Sequence, residues 1–133
     1  MASKKIMIIE DSILLHKMYG LILMRYTQAG ATLLHAFDGL EGLDLLRQNP
    51  DVHLVILDTT LPRMNGFEFL QACKSDHVLK DIPVLVVTTE GKEEHIHKGL
   101  EAGAYGYVTK PFQPNQLHQL IQTIFQVRDA IHG

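Results

Sequence analysis

The sequence predicts an α/β domain of the (βα)5 type, in which a doubly wound parallel sheet carries helices on both faces. Five short aliphatic runs alternate along the 133 residues with stretches that have helical spacing. Several of these runs are apolar almost without interruption, which is typical of strands covered on both sides. Strict alternation of strand and helix favours a parallel sheet with right-handed crossovers.

Each strand and helix is predicted from its own local pattern. The predicted strands cover residues 6–9, 32–37, 52–57, 84–87 and 105–108. The first and last helices are predicted from apolar stripes at spacings of three and four. These stripes consist of Leu14, Met18, Leu21 and Ile22, and of Leu117, Leu120, Ile121, Ile124 and Ile131. The three helices between them are marked by Leu40, Leu43 and Leu46, by Phe67, Leu70 and Cys73, and by Ile96 and Leu100.

Capping and turn residues support these boundaries. Ser12 and Asp38 follow the first and second predicted strands and are good N-cap residues. Gly30 is predicted to end the first helix, Asn49 the second and Gly103 the fourth. The pattern shows no linker or repeat, so we expect one domain over residues 1–133.

Composition and charge exclude several classes of protein. Hydrophobic residues make up 46% of the chain and charged residues 20%, as in ordinary globular domains. The formal net charge is −3 with no basic patch, so direct nucleic-acid binding is not expected. No apolar run approaches the ~20 residues of a membrane-spanning helix, and the first apolar run is too short for a signal peptide. A single cysteine, Cys73, rules out an intrachain disulfide, and we expect a cytoplasmic protein.

Chemically active side chains follow four of the predicted strands. Glu10 and Asp11 follow the first strand, Asp58 the third, Thr88 the fourth and Lys110 the fifth. The carboxyl ends of parallel strands share one edge of the sheet, where ligands bind at the point at which strand order reverses. The acids can meet only if the first and third strands are neighbours, which predicts the order 2-1-3-4-5.

Three carboxylates at one edge repel one another unless a cation or a proton neutralises part of their charge. Magnesium suits such a site because it accepts carboxylates, waters and a phosphate oxygen. A carboxylate can also attack phosphorus and form an aspartyl-phosphate, while Lys110 and the metal neutralise the transferring group. Each residue alone has an ordinary structural interpretation. Their combination at one edge favours a phosphoryl site.

The chain resembles the receiver domain of two-component response regulators, a flavodoxin-like fold, over residues 5–127. The matching segments are EDS at 10–12, Asp58 followed by LPRMNG at 61–66, PVLVVT at 83–88 and AGAYGYVTKPF at 102–112. Any one of these segments is a weak signal. All of them in this order are a strong one.

The resemblance implies a role for each site residue. Asp58 is the implied phosphoacceptor. Magnesium, with manganese as the alternative, is held by Glu10, Asp11, Asp58 and the backbone carbonyl of Thr60. Thr88 and Lys110 contact the phosphoryl group.

The resemblance also implies a conformational switch and an output surface. Thr88 moves towards the phosphoryl group, and Tyr107 turns inward into the space that it leaves. The peptide bond between Lys110 and Pro111 is expected to be cis. The output surface comprises the fourth helix, the fifth strand and the fifth helix. Its candidate residues, chosen by position alone, are Lys98, Glu101, Tyr105 and Gln119.

The partners that the resemblance implies are a histidine kinase or a histidine phosphotransfer domain as donor, and an unidentified protein as target. The domain itself is expected to bind neither nucleic acid nor membrane. It is expected to promote only its own phosphorylation and dephosphorylation, so it is not an enzyme in the usual sense. Receiver domains are monomers or dimerise on phosphorylation, and the sequence is compatible with both states.

Three other functions compete with this interpretation. A haloacid-dehalogenase-like phosphatase also uses an aspartyl nucleophile and magnesium, but it needs a second acid two residues later, where Thr60 stands. A receiver-like module that works without phosphate usually lacks an acid, the acceptor or the lysine, and this chain keeps all of them. A flavin-binding relative is disfavoured because the chain has no tryptophan and no phosphate-cradling loop after the first strand.

Overall fold

The computed structural model describes residues 4–58, 61–89 and 91–132, apart from the side chains of 128 and 130–132. Within these ranges the chain forms five strands and six helices. They are β1 (Lys5–Ile9), α1 (Ile13–Ile22), α2 (Met24–Gln28), β2 (Thr32–Ala36), α3 (Gly39–Gln48), β3 (Leu54–Leu57), α4 (Gly66–Lys74), β4 (Val84–Thr88), α5 (Glu93–Glu101), β5 (Gly106–Thr109) and α6 (Pro114–His132).

The strands form one parallel sheet in the order β2-β1-β3-β4-β5. This confirms the predicted (βα)5 architecture and the strand order 2-1-3-4-5. Strands β1 and β3 are neighbours with Ile9 opposite Leu57. The residues that follow these two strands therefore leave the sheet side by side.

Two hydrophobic cores cover the two faces of the sheet. On one face, strand residues such as Ile8 and Ile56 pack against Tyr19 of α1 and Ile121 of α6. On the other face, residues such as Met7 pack against α3 and α4. The apolar residues of β1, β3 and β4 alternate between the two cores and are almost wholly buried. Burial on both faces explains why these strands read as continuous apolar runs.

The predicted caps have the expected geometry. The side chain of Ser12 accepts a hydrogen bond from the N–H of Leu15, and that of Asp38 accepts one from the N–H of Glu41. Gly103 has φ +107°, a left-handed conformation that suits glycine after a helix. These caps fix where α1 and α3 begin on leaving the sheet.

The first helix differs from its prediction in two ways. It is divided at Leu23 into α1 and α2. Leu14 and Leu21 of the predicted core stripe are 74% and 70% exposed, whereas His16 and Tyr19 are buried. The apolar residues of α1 are distributed over almost all sides of the helix. Helical spacing alone therefore does not indicate which side is buried.

Smaller corrections concern single residues at the ends of elements. Leu100, predicted on the core stripe of α5, is exposed, and Gly99 is the buried residue of that helix. Strand β3 begins at Leu54, because the N–H of Val52 still donates to Asn49 in the preceding turn. The side chain of Ile131, predicted in the last stripe, lies outside the described residues.

Among the helices of the described residues, none is both long and apolar enough to cross a bilayer.

Lys74 joins α4 to the connection that leads into β4. Its half-buried ammonium donates to the carbonyls of Lys80 and Ile82, at 3.0 and 3.1 Å. We expect Lys74→Met to lower the free energy of unfolding by about 1–3 kcal/mol, because both carbonyls lose a charged donor. Chemical denaturation checks this. The matched variant Lys80→Met alters an exposed side chain and should change stability by less than about 0.5 kcal/mol.

Candidate functional site

Three carboxylates meet at the carboxyl edge of the sheet. Oxygen atoms of Glu10, Asp11 and Asp58 all lie within 4.8 Å of one another. Glu10 follows β1 and Asp58 follows β3, and the N–H of Asp58 donates to the carbonyl of Ile9 at 3.1 Å. The adjacent strands thus bring together acids that are 47 or 48 positions apart in the chain.

Glu10 is the most deeply buried acid of this cluster. The residue is only 3% exposed. Burial raises the pKa of Glu10 to about 8, and hydrogen bonding to Asp58 and Asp11 adds to the rise. The charge of Asp58 acts in the same direction, whereas Lys110 opposes it. Without a cation, the cluster therefore favours a protonated Glu10.

Lys110 supplies a positive charge from the end of β5. Its ammonium nitrogen lies 3.5 Å from Oε2 of Glu10 and 3.7 Å from Oδ2 of Asp58. The backbone N–H of Lys110 donates to the carbonyl of Thr88 at 2.7 Å, which holds the segment against β4. The peptide bond between Lys110 and Pro111 is cis. One ammonium thus faces two of the three carboxylates.

The donor set fits a hard divalent cation. Glu10, Asp11 and Asp58 offer carboxylate oxygens, which suit magnesium or manganese better than softer metals. A cation would also favour the charged form of Glu10, whose pKa is raised by burial and then by the neighbouring acids. Thr60, whose backbone carbonyl is the fourth predicted ligand, lies outside the described residues.

The two predicted switch residues lie on neighbouring strands. Thr88 is completely buried at the end of β4, and Tyr107 of β5 is partly buried opposite Val86. The ring of Tyr107 rests on α5 where Gly99 has no side chain. A β-carbon at Gly99 would lie only 2.9 Å from Cε2 of Tyr107. The position of the ring therefore depends on the absence of a side chain at residue 99.

The four candidate output residues all lie on the surface of α5, α6 or the turn before β5. These residues, Lys98, Glu101, Tyr105 and Gln119, are exposed. Helices α5 and α6 correspond to the fourth and fifth helices of the prediction, since the first predicted helix is divided. Exposure at these positions is what an output surface requires, and the output surface stays a prediction.

The loop that leads from β3 into α4 contains a feature that sequence reasoning missed. Arg63 has φ +64°, and the N–H of Met64 donates to the carbonyl of Pro62 at 2.8 Å, which makes a three-residue turn. The guanidinium of Arg63 donates to Oδ2 of Asp38 at 2.9 and 2.6 Å. Gly39 permits the close approach, because its β-carbon would lie 2.3 Å from the carbonyl of Met64. An ion pair thus stabilises an unfavourable backbone conformation.

The fold and the site define a class: a doubly wound α/β protein with an acidic site and a lysine at its switch point. The family model described as response regulator receiver domain matches residues 6–122. The chain belongs to the response regulator receiver domain family, and it is a receiver domain of two-component signalling.

Individual relatives agree with this assignment. The chain is 32% identical over 120 residues to a chemotaxis protein CheY homolog of Campylobacter jejuni, covering 90% of this chain and 91% of the relative. It is 30% identical to chemotaxis protein CheY1 of Helicobacter pylori, covering 94% and 99%. The solved structure of CheY4 of Vibrio cholerae superposes with a TM-score of 0.81 at 32% identity, covering 92% of this chain and 99% of that one.

Proposed function

We propose that Asp58 accepts a phosphoryl group from a phosphohistidine and that the phosphorylated domain binds a protein target. The observation that carries this proposal is the cluster of Glu10, Asp11 and Asp58 with Lys110 beside it. The three acids offer a cation site, and the ammonium offers a fixed charge for the phosphoryl oxygens. The donor is a histidine kinase or a histidine phosphotransfer domain.

In the proposed transfer, a carboxylate oxygen of Asp58 attacks the phosphorus atom. The new O–P bond forms as the N–P bond to the imidazole of the donor breaks, and the imidazole nitrogen keeps the electron pair. Magnesium, when bound by Glu10, Asp11, Asp58 and the carbonyl of Thr60, would offset negative charge on the carboxylates and the phosphoryl group. Water later attacks the phosphorus atom of this acyl phosphate, the O–P bond to Asp58 breaks, and inorganic phosphate leaves the restored carboxylate.

Lys110 and Thr88 complete the proposed site. Lys110 stabilises the charge that builds on the phosphoryl oxygens, and Thr88 donates its hydroxyl to one of them. The movement of Thr88 would shift a pre-existing equilibrium in the position of Tyr107 and so alter the surface of α5, β5 and α6. The domain therefore acts as a cytoplasmic signalling switch that turns over only its own phosphoryl group.

Intact mass spectrometry tests the acceptor. We expect the chain, incubated with acetyl phosphate or phosphoramidate and magnesium, to gain the mass of one phosphoryl group. Asp58→Asn and a magnesium-free sample should gain none, because the nucleophile or the cation is missing. Asp44→Asn, which alters an exposed acid on α3, is the matched control and should be phosphorylated normally.

The outcome separates this function from its competitors. No adduct and no release of inorganic phosphate would contradict the acceptor role and favour an interaction module that works without phosphate. Continuous release of phosphate with many turnovers of a phosphomonoester would instead favour a phosphatase. A stable or slowly hydrolysed adduct on Asp58 alone supports the receiver mechanism.

A further inference from the structure

His16 lies buried on α1 with both ring nitrogens engaged, and it is only 5% exposed. Its Nε2 lies 2.7 Å from the backbone carbonyl oxygen of Glu10. Its Nδ1 lies 2.8 Å from Nδ1 of His35 on β2. The ring also packs against Phe37, with the ring centroids 4.3 Å apart. The side chain thus connects α1 with β2 and with the end of β1.

In a neutral His16, the two contacts determine where the protons lie. A carbonyl oxygen can only accept, so Nε2 of His16 carries a proton and donates it to Glu10. In the neutral ring Nδ1 of His16 is then an acceptor, and Nδ1 of His35 donates to it. His35 therefore holds His16 in the tautomer that can bond the carbonyl of Glu10.

The carbonyl of Glu10 needs this donor because the strand has ended. The last paired residue of β1 is Ile9, and Glu10 is itself buried. The N–H of Glu10 still donates to the carbonyl of Ala36 at 3.1 Å. Strand β2 thus provides a partner for the N–H of Glu10, and His16 provides one for its carbonyl. A buried carbonyl without a partner is costly, and His16 provides the partner.

The carbonyl that His16 binds belongs to the peptide unit that joins Glu10 to Asp11. A peptide unit is planar, so a hydrogen bond to its oxygen restrains the orientation of the whole unit. The two carboxylates extend from the two ends of that unit. A restraint on the peptide is therefore a restraint on the directions in which both acids reach the cation site.

We propose that His16, in the tautomer set by His35, is a positioning residue for the acid pair Glu10 and Asp11. The role rests on the proposed function, since it concerns how well those acids bind a cation. His16 acts through the peptide unit and contacts neither the cation nor the phosphoryl group. Interactions of this indirect kind typically affect metal affinity by about 10- to 100-fold.

Three substitutions at residue 16 isolate the hydrogen bond. His16→Leu fills much of the volume but removes the donor. His16→Gln places an amide nitrogen near the position of Nε2, so it can still donate to Glu10. His16→Asn is shorter and places its amide only near Nδ1, where it faces His35. Glutamine should therefore rescue the function that asparagine and leucine lose.

Calorimetric titration of the full chain with magnesium chloride measures the effect. We expect His16→Leu and His16→Asn to weaken magnesium binding by about tenfold or more, and His16→Gln to keep most of the affinity. The rate of phosphorylation by phosphoramidate, followed against magnesium concentration, gives a second readout. The leucine and asparagine variants should need more magnesium to reach half the maximal rate. Their rate at saturating magnesium should stay close to that of the wild type.

Lys74→Met controls for a general loss of stability. Its hydrogen-bond partners precede β4, at the opposite edge of the sheet from the acids, so it should lower stability without changing magnesium affinity. Leucine and asparagine variants with wild-type affinity would overturn the proposal, as would an equal loss of affinity in Lys74→Met. If the leucine variant does not fold, the asparagine and glutamine pair decides. A wild-type chain that binds no magnesium would contradict the proposed function itself, and this proposal with it.

Discussion

Replacement of Lys110 by methionine is expected to slow phosphorylation of Asp58 by about a hundredfold or more. The ammonium lies 3.7 Å from Oδ2 of Asp58 and its side chain is only 18% exposed, so water screens its charge poorly. Removal of a fixed charge from a site of this kind removes stabilisation of the transferring group and leaves the nucleophile in place. The initial rate of adduct formation with phosphoramidate at saturating magnesium measures the loss.

Two further lysine variants make this result specific. Lys80→Met changes an exposed lysine at the opposite edge of the sheet and should react at the rate of the wild type. Lys110→Arg keeps a positive charge but replaces a compact ammonium with a planar fork, so it should restore only part of the rate. Equal rates for Lys110→Met and the wild type would show that this ammonium does not stabilise the transfer. Unlike the defect of the His16 variants, the defect at Lys110 should persist at saturating magnesium.

The metal-free protein is expected to lose stability as the pH rises from about 4.5 towards 8. The pKa of Glu10 is raised from 4.5 to about 8, chiefly by burial and then by the neighbouring acids. Between these values the folded state keeps a proton that the unfolded state has released, so the free energy of unfolding falls as the pH rises. The full loss is on the order of 2–5 kcal/mol. Chemical denaturation in the presence of a chelator measures it.

Substitutions assign this pH dependence to the acidic cluster. Glu10→Gln should abolish most of the slope, and Asp58→Asn should reduce it by removing a main neighbour of Glu10. Asp44→Asn, on the exposed face of α3, should leave it unchanged. An undiminished slope in Glu10→Gln would show that the cluster is not its source.

Two histidines and magnesium also affect the pH dependence of the free energy of unfolding. Burial lowers the pKa values of His35 and His118 below 6.5, so they destabilise the fold only as the pH falls through that region. Above about pH 6.5 the slope therefore belongs mainly to Glu10. We expect magnesium to bind only the folded chain and to stabilise it most at high pH, where it does not have to displace a proton.

The fold and the candidate site were predictable for one shared reason. Buried parallel strands leave continuous apolar runs in the sequence, and the residue after each run lies at the carboxyl edge of the sheet. The proximity of Glu10, Asp58 and Lys110 could therefore be predicted from the sequence. The strand order followed from the requirement that the acids meet.

The features that sequence reasoning missed depend on packing or on unusual backbone. The buried face of α1 includes His16, a polar residue between Leu15 and Lys17 whose burial follows from its contacts with Glu10 and His35. Arg63 adopts a left-handed backbone that few residues other than glycine favour, and its stabilisation by Asp38 comes from 25 positions away. Neither feature has a local pattern that could have indicated it.

The contact between Tyr107 and Gly99 limits the order in which this chain can change during evolution. Alanine at residue 99 would favour an isolated helix by about 1 kcal/mol over glycine. In this protein the added methyl group would lie 2.9 Å from the tyrosine ring. The ring must therefore move before alanine can stabilise the helix. A lineage would therefore have to replace or displace Tyr107 first and only then accept alanine on α5. We therefore expect the two positions to be epistatic, with β5 coupled to a helix of the predicted output surface.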